Sequence, residues 1–95
     1  MNFNIDKDLL RKYLGLEGEQ NQIICLLGEM SELTKELTKK LRKSQKYNKD
    51  NVIEETADVL MMIEQMKYCL DITDEDIQLA QTNKEIKLRE FLETI

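Results

Sequence analysis

The chain has 95 residues, of which 35% are charged and 5% aromatic, with a formal net charge of -5 and no histidine or proline. Its length fits one domain, 1–95. The acidic balance argues against nucleic acid as a general partner, and the absence of histidine removes the usual zinc ligand and the usual general base.

Three glycines and many Leu, Glu, Lys and Met residues predict an all-α chain. A short helix is expected from about Asp6 to Leu14, closed by Gly15, with a second break at Gly18. A long helix follows from about Glu19 to Lys43. Its apolar positions Ile23, Leu26, Leu27, Met30, Leu33, Leu37 and Leu41 keep three- and four-residue steps. Residues 44–50, SQKYNKD, have turn chemistry and no apolar period. Asn51 and Glu54 have the spacing of a capping box, which would open a third helix running to about Leu70. Thr73 is the expected N-cap of a fourth helix over about 74–94, with Ile72 and Ile77 at the two positions of a hydrophobic staple.

The third helix is apolar around nearly its whole circumference, from Val52 and Ile53 through Met66 and Leu70. Such a helix is expected to be covered on several sides. The expectation is therefore a bundle of about four helices completed by association with another subunit, as a dimer or tetramer. Cys25 and Cys69 lie in apolar patterns without a CxxC spacing and are expected to be buried, reduced thiols. No apolar stretch is long enough to cross a bilayer, and no signal-peptide pattern is present, so a cytoplasmic location and no membrane partner are expected.

The acids have a pattern of their own. Glu29 and Glu32 are i and i+3 on the second helix, and Glu36 extends the row. Glu55 and Asp58 repeat the spacing on the third helix, with Asp58 set in the apolar run TADVLMMI. A short loop makes the two helices antiparallel neighbours. If the ExxE and ExxD face each other, four carboxylates converge, and their repulsion is relieved by a hard divalent cation such as Mg²⁺. The alternative is a helical interaction protein whose acidic rows are simply solvated. Next to the acids, Lys39, Lys40, Arg42, Lys43, Lys46 and Lys49 place six bases in eleven residues. This run has two readings: cations favoured at a helix C-terminus, or a basic rim, including Lys39, that attracts a polyphosphate.

The segments GEQNQIICLLGEMSELTKEL and NVIEETADVLMMIEQMKY resemble the MazG-like, all-α nucleoside triphosphate pyrophosphohydrolases, relatives of the dimeric dUTPases and phosphoribosyl-ATP pyrophosphohydrolase. The likeness covers roughly residues 18–67, and more loosely the last helix. The closest flavour is the small single-domain form common in phages and bacteria. In the family pattern two adjacent Glu precede a third, and an ExxD follows on the next helix. Glu29 and Glu32 match the second and third Glu, Glu55 and Asp58 match the ExxD, and Gly28 stands where the first Glu would be. The resemblance implies hydrolysis of a nucleoside triphosphate between its α and β phosphates. Glu29, Glu32, Glu55 and Asp58 would hold Mg²⁺, with Mn²⁺ a possible substitute. One of Glu29, Glu32 or Glu36 would position or deprotonate the water. Gln22, Asn83, Lys84 and Lys87 are the substrate contacts it implies. Gly28 suggests either close approach of another backbone or a fold of this type that binds nucleotide with little turnover.

Overall fold

The computed structural model describes residues 3–95 as four α-helices: α1 (Lys7–Glu17), α2 (Glu19–Leu41), α3 (Lys49–Cys69) and α4 (Asp74–Glu93). The chain is all-α, with no strand among the described residues. Asp6 caps α1 by accepting from the Leu9 amide at 3.0 Å. The helix runs through Gly15 rather than ending there, and stops at Gly18, whose φ of 85° lies in the left-handed region. A glycine weakens a helix but ends it only where the backbone adopts such an angle, which happens three residues later than expected.

Two further boundaries differ from the sequence expectation. α2 ends at Leu41, two residues short of Lys43, because Lys43 takes a left-handed φ of 55°. The Lys43 amide bonds the Lys40 carbonyl and the Ser44 amide bonds the Lys39 carbonyl, which is the Schellman arrangement. α3 ends the same way, with Asp71 at φ 56° and the amides of Asp71 and Ile72 bonded to the carbonyls of Tyr68 and Lys67. Neither terminus uses the glycine that usually marks this motif. At the start of α3 the cap is Asn48, which accepts from the Asp50 amide at 2.8 Å, while Asn51 lies within the first turn. The Asn51 capping box therefore does not form. Thr73 does cap α4, and the box is completed by Asp76, each residue's amide bonding the other's side chain at 3.0 Å.

α2 and α3 form an antiparallel hairpin, with Gln22 opposite Gln65 and Glu29 opposite Glu55 and Asp58. α1 packs across the open end of that hairpin. Among the described residues the buried apolar core is small: Leu10, Leu14 and Leu26. Beside it lie two fully buried amides, Gln22 and Gln65. Gln65 donates to the Leu10 carbonyl and, at 3.5 Å, to the Gln22 side chain, and accepts from Arg11 at 2.8 Å. These bonds fasten α1 to α3 and, through the same Gln65 side chain, α3 to α2, a clamp of buried polar groups.

α4 stands away from the rest, with none of its Cα atoms within 8 Å of a Cα in α1, α2 or α3. The radius of gyration is 16.5 Å, against about 12 Å for a compact domain of this length. Lys67 of α3 holds the base of α4 by pairing with Asp74 and with Glu64, and Lys7 lies 3.8 Å from Glu64 and 3.9 Å from Asp74. Burial alone would lower the Lys67 pKa, but its hydrogen bonds to Asp74 and Glu64 raise it above 10.5. The same contact holds Asp74 below its ordinary 3.8.

The expected burial of the two thiols is corrected in part: Cys25 is exposed, and Cys69 is half-buried. Cys25 occupies a position on α2 that the hairpin partner does not cover. The glycine at 28 does not mark a close approach within the chain, since a Cβ built there meets nothing within 4 Å.

Candidate metal centre

The ExxD spacing puts Glu55 and Asp58 on neighbouring turns of one face of α3, because residues three apart on a helix lie side by side. The antiparallel register brings Glu29 of α2 opposite them. One carboxylate oxygen from each of Glu29, Glu55 and Asp58 lies within 4.8 Å of the others. Glu29 and Glu55 are half-buried, whereas Asp58 is exposed. Asp58 is exposed although it is set in an apolar run of sequence, because its apolar neighbours turn toward other sides of α3. The buried polar groups of this helix, Glu64 and Gln65, come one to two turns later.

The electrostatics show the strain of the arrangement. Burial raises the Glu29 pKa above its ordinary 4.5, and the charges of Asp58 and Glu55, with hydrogen bonds to both, raise it further. One oxygen of Glu55 is buried without a hydrogen-bond partner. A divalent cation with a preference for oxygen would satisfy that oxygen and remove the repulsion, so the donor set fits Mg²⁺ or Mn²⁺.

The other expected site residues are placed as follows. Glu32 is exposed and lies outside the group of three. Glu36 is buried, accepts from Lys39 at 3.0 Å and leaves its second oxygen unpartnered. Lys39 is held in that ion pair, with its side chain 19% exposed. Gln22 is only 1% exposed and belongs to the clamp with Gln65, two helical turns from Glu29. Asn83, Lys84 and Lys87 are exposed on α4, and the chain does not bring that helix to α2.

No family model matches the sequence, and neither the curated proteins nor the solved structures contain a significant match to it. Among the described residues, no helix is long and apolar enough to cross a membrane.

Sequence reasoning missed Gln65 and Arg11, which hold the hairpin and α1 in register. The available signal was a glutamine, next to Glu64, in the mostly apolar run MMIEQM near the end of α3, on the face that meets α2. It also missed the Lys7, Glu64, Lys67 and Asp74 group at the base of α4. That group joins three separate elements, so no local spacing announces it.

Proposed function

We propose that this chain is a Mg²⁺-dependent nucleotide pyrophosphohydrolase of the MazG-like kind, which cleaves a nucleoside triphosphate between its α and β phosphates. The observation that carries the reading is the convergence of Glu29 with Glu55 and Asp58 across the α2–α3 hairpin. The unpartnered Glu55 oxygen and the raised Glu29 pKa support it, because both are relieved by a bound cation. The sequence resemblance supplies the substrate class.

In this reading Glu29, Glu55 and Asp58 would hold the ion. When bound, Mg²⁺ neutralises phosphate charge and lowers the pKa of a water molecule. Glu32, exposed and without an ion pair among the described residues, lies one turn from Glu29 and is the carboxylate that would accept a proton from water. Glu36 is less suited to that step because Lys39 already holds it. Exposed Asp58 leaves the site open on the side from which a triphosphate must enter. Lys84 and Lys87 reach a phosphate only as residues of another copy, since α4 of the same chain is remote from α2.

The decisive assay is pyrophosphate release from a panel of nucleoside triphosphates, with and without Mg²⁺, on the natural chain and Asp58→Asn. Release that requires Mg²⁺ and disappears in the variant is expected. Silence across canonical and modified triphosphates would remove the enzyme reading. A second reading, a nucleotide-binding module with little turnover, is favoured by Gly28 and by the position of Glu32 outside the cluster. Thermal stabilisation by a nucleotide without product would select it.

A further inference from the structure

The hairpin that carries the three carboxylates has little apolar packing to hold it in register. Among the described residues, Leu26 is the one buried apolar side chain of α2, and α3 buries only Glu64 and Gln65. Because α3 is apolar around nearly its whole circumference, it offers α2 similar faces at several rotations and at a shift of one turn. The connection between the helices, residues 42–48, is long enough to absorb such a shift, about 5 Å.

The groups that discriminate between these arrangements are polar. Gln22 and Gln65 are fully buried, and the Gln65 nitrogen donates to the Gln22 Oε1 at 3.5 Å. Gln65 is fixed from its other side, since Arg11 donates to its oxygen at 2.8 Å and the Leu10 carbonyl accepts from its nitrogen. Gln22 has no such support. Its nitrogen is buried without a partner, a cost in stability that an apolar side chain of the same length would avoid. What that cost brings is selection. A buried polar side chain penalises every register that leaves it facing apolar neighbours, as one polar residue does in the seam of a coiled coil.

The place of the pair ties it to the carboxylates. Gln22 precedes Glu29 by seven residues and Gln65 follows Asp58 by seven, so on each helix the two share a face, about 10 Å apart. A shift of one turn would carry Glu29 about 5 Å along the axis, as far as the 4.8 Å that spans the three oxygens, and would bring Glu32 toward its place. We infer that Gln22 and Gln65 are positioning residues, the pair that selects the one register of the hairpin in which Glu29 rather than Glu32 faces Glu55 and Asp58. Gln22 thus acts on the site through the hairpin, in place of the substrate contact expected from the sequence. The consequence for metal binding rests on the reading proposed above, whereas the register itself does not.

The test is Gln22→Met in the full chain, with Leu26→Met as control. Leu26 is buried one turn from Gln22, so its replacement disturbs the same packing and leaves the clamp intact. In EDTA, nuclear Overhauser contacts from the Glu55 and Asp58 side chains report which glutamate of α2 lies opposite them. With Mn²⁺, electron paramagnetic resonance reports affinity. The natural chain and Leu26→Met are expected to show contacts to Glu29 alone and to bind Mn²⁺ equally. Gln22→Met, with the helical ellipticity of the natural chain, is expected to show contacts to Glu32 as well. Its Kd for Mn²⁺ should rise at least threefold, in proportion as the competent register is depopulated. Contacts to Glu29 alone in Gln22→Met overturn the inference, as does a mixed register with unchanged affinity or an equal loss in Leu26→Met. If the natural chain holds no Mn²⁺, the metal reading falls and the Overhauser contacts alone decide the register. Should Gln22→Met not fold, Gln22→Asn, polar but one methylene too short to reach Gln65, takes its place with the same outcomes.

Discussion

Replacing Glu29 by glutamine should stabilise the metal-free protein. Its carboxylate faces two others with oxygens within 4.8 Å, and at that distance a pair of like charges costs about 0.9 kcal/mol in bulk water and about 3.5 kcal/mol at an effective dielectric of 20. Glu29 and Glu55 are half-buried and Asp58 is exposed, so screening keeps each pair near the lower figure. Removing both pairs is then worth about 1–2 kcal/mol, or about 5–10 °C in Tm for a chain of this size. The pH dependence has a definite sign. The folded-state pKa of Glu29 is raised, so its stabilising contribution is fully present below 4.5 and is lost as pH rises through the folded value. The advantage of Glu29→Gln should therefore be small near pH 4 and largest above neutrality. The assay is thermal unfolding in EDTA across that range, repeated with Mg²⁺. Mg²⁺ should raise the Tm of the natural chain and raise that of the variant much less. An unchanged or lower Tm for Glu29→Gln in EDTA at pH 8, or equal stabilisation of both by Mg²⁺, would refute the reasoning.

Four other outcomes follow from the geometry. Gln65→Met should lower stability by about 2–4 kcal/mol in urea unfolding, because it strands the Leu10 carbonyl and the Arg11 guanidinium. Gln22→Met should change it by less than about 1 kcal/mol, since the Gln22 side-chain nitrogen has no partner to lose. Thr73→Ala removes half of the α4 capping box and should cost about 1 kcal/mol, with loss of helical ellipticity ahead of the main transition. In native protein a thiol reagent should modify Cys25 quickly and Cys69 slowly. Cys25 is exposed, whereas burial first, and then the charge of Glu19, raises the pKa of Cys69.

The four helices are legible in the sequence because three- and four-residue apolar steps and an Asn or Thr at the start of a run act locally. Thr73 was readable for that reason. The endings were less so: Lys43 and Asp71 take the left-handed conformation that a reader looks for at glycine, while Gly15, which a reader would choose, stays helical. The i, i+3 spacing of Glu55 and Asp58, with Glu29 on the preceding helix, was enough to bring three carboxylates together. Whether Glu32 joins them depends on the rotation of α2 about its axis, and that is set by the Gln22–Gln65 clamp at the far end of the hairpin. Apolar neighbours in sequence suggested burial for Asp58, yet burial follows the helix face, and the face that Asp58 shares with Glu54 and Met61 is open. The splay of α4 was hidden because no local spacing announces it: the pairing of Lys67 with Glu64 and Asp74 at its base involves side chains on both sides of a turn.

The most direct test of the central claim is a Mn²⁺ titration followed by electron paramagnetic resonance, in which free ion gives a signal and bound ion does not. The account predicts that the natural chain removes free Mn²⁺ from solution, that excess Mg²⁺ returns it, and that Asp58→Asn and Glu55→Gln each weaken binding at least tenfold. A signal that grows with added Mn²⁺ as though no protein were present would contradict it, as would equal binding by the natural chain and both variants.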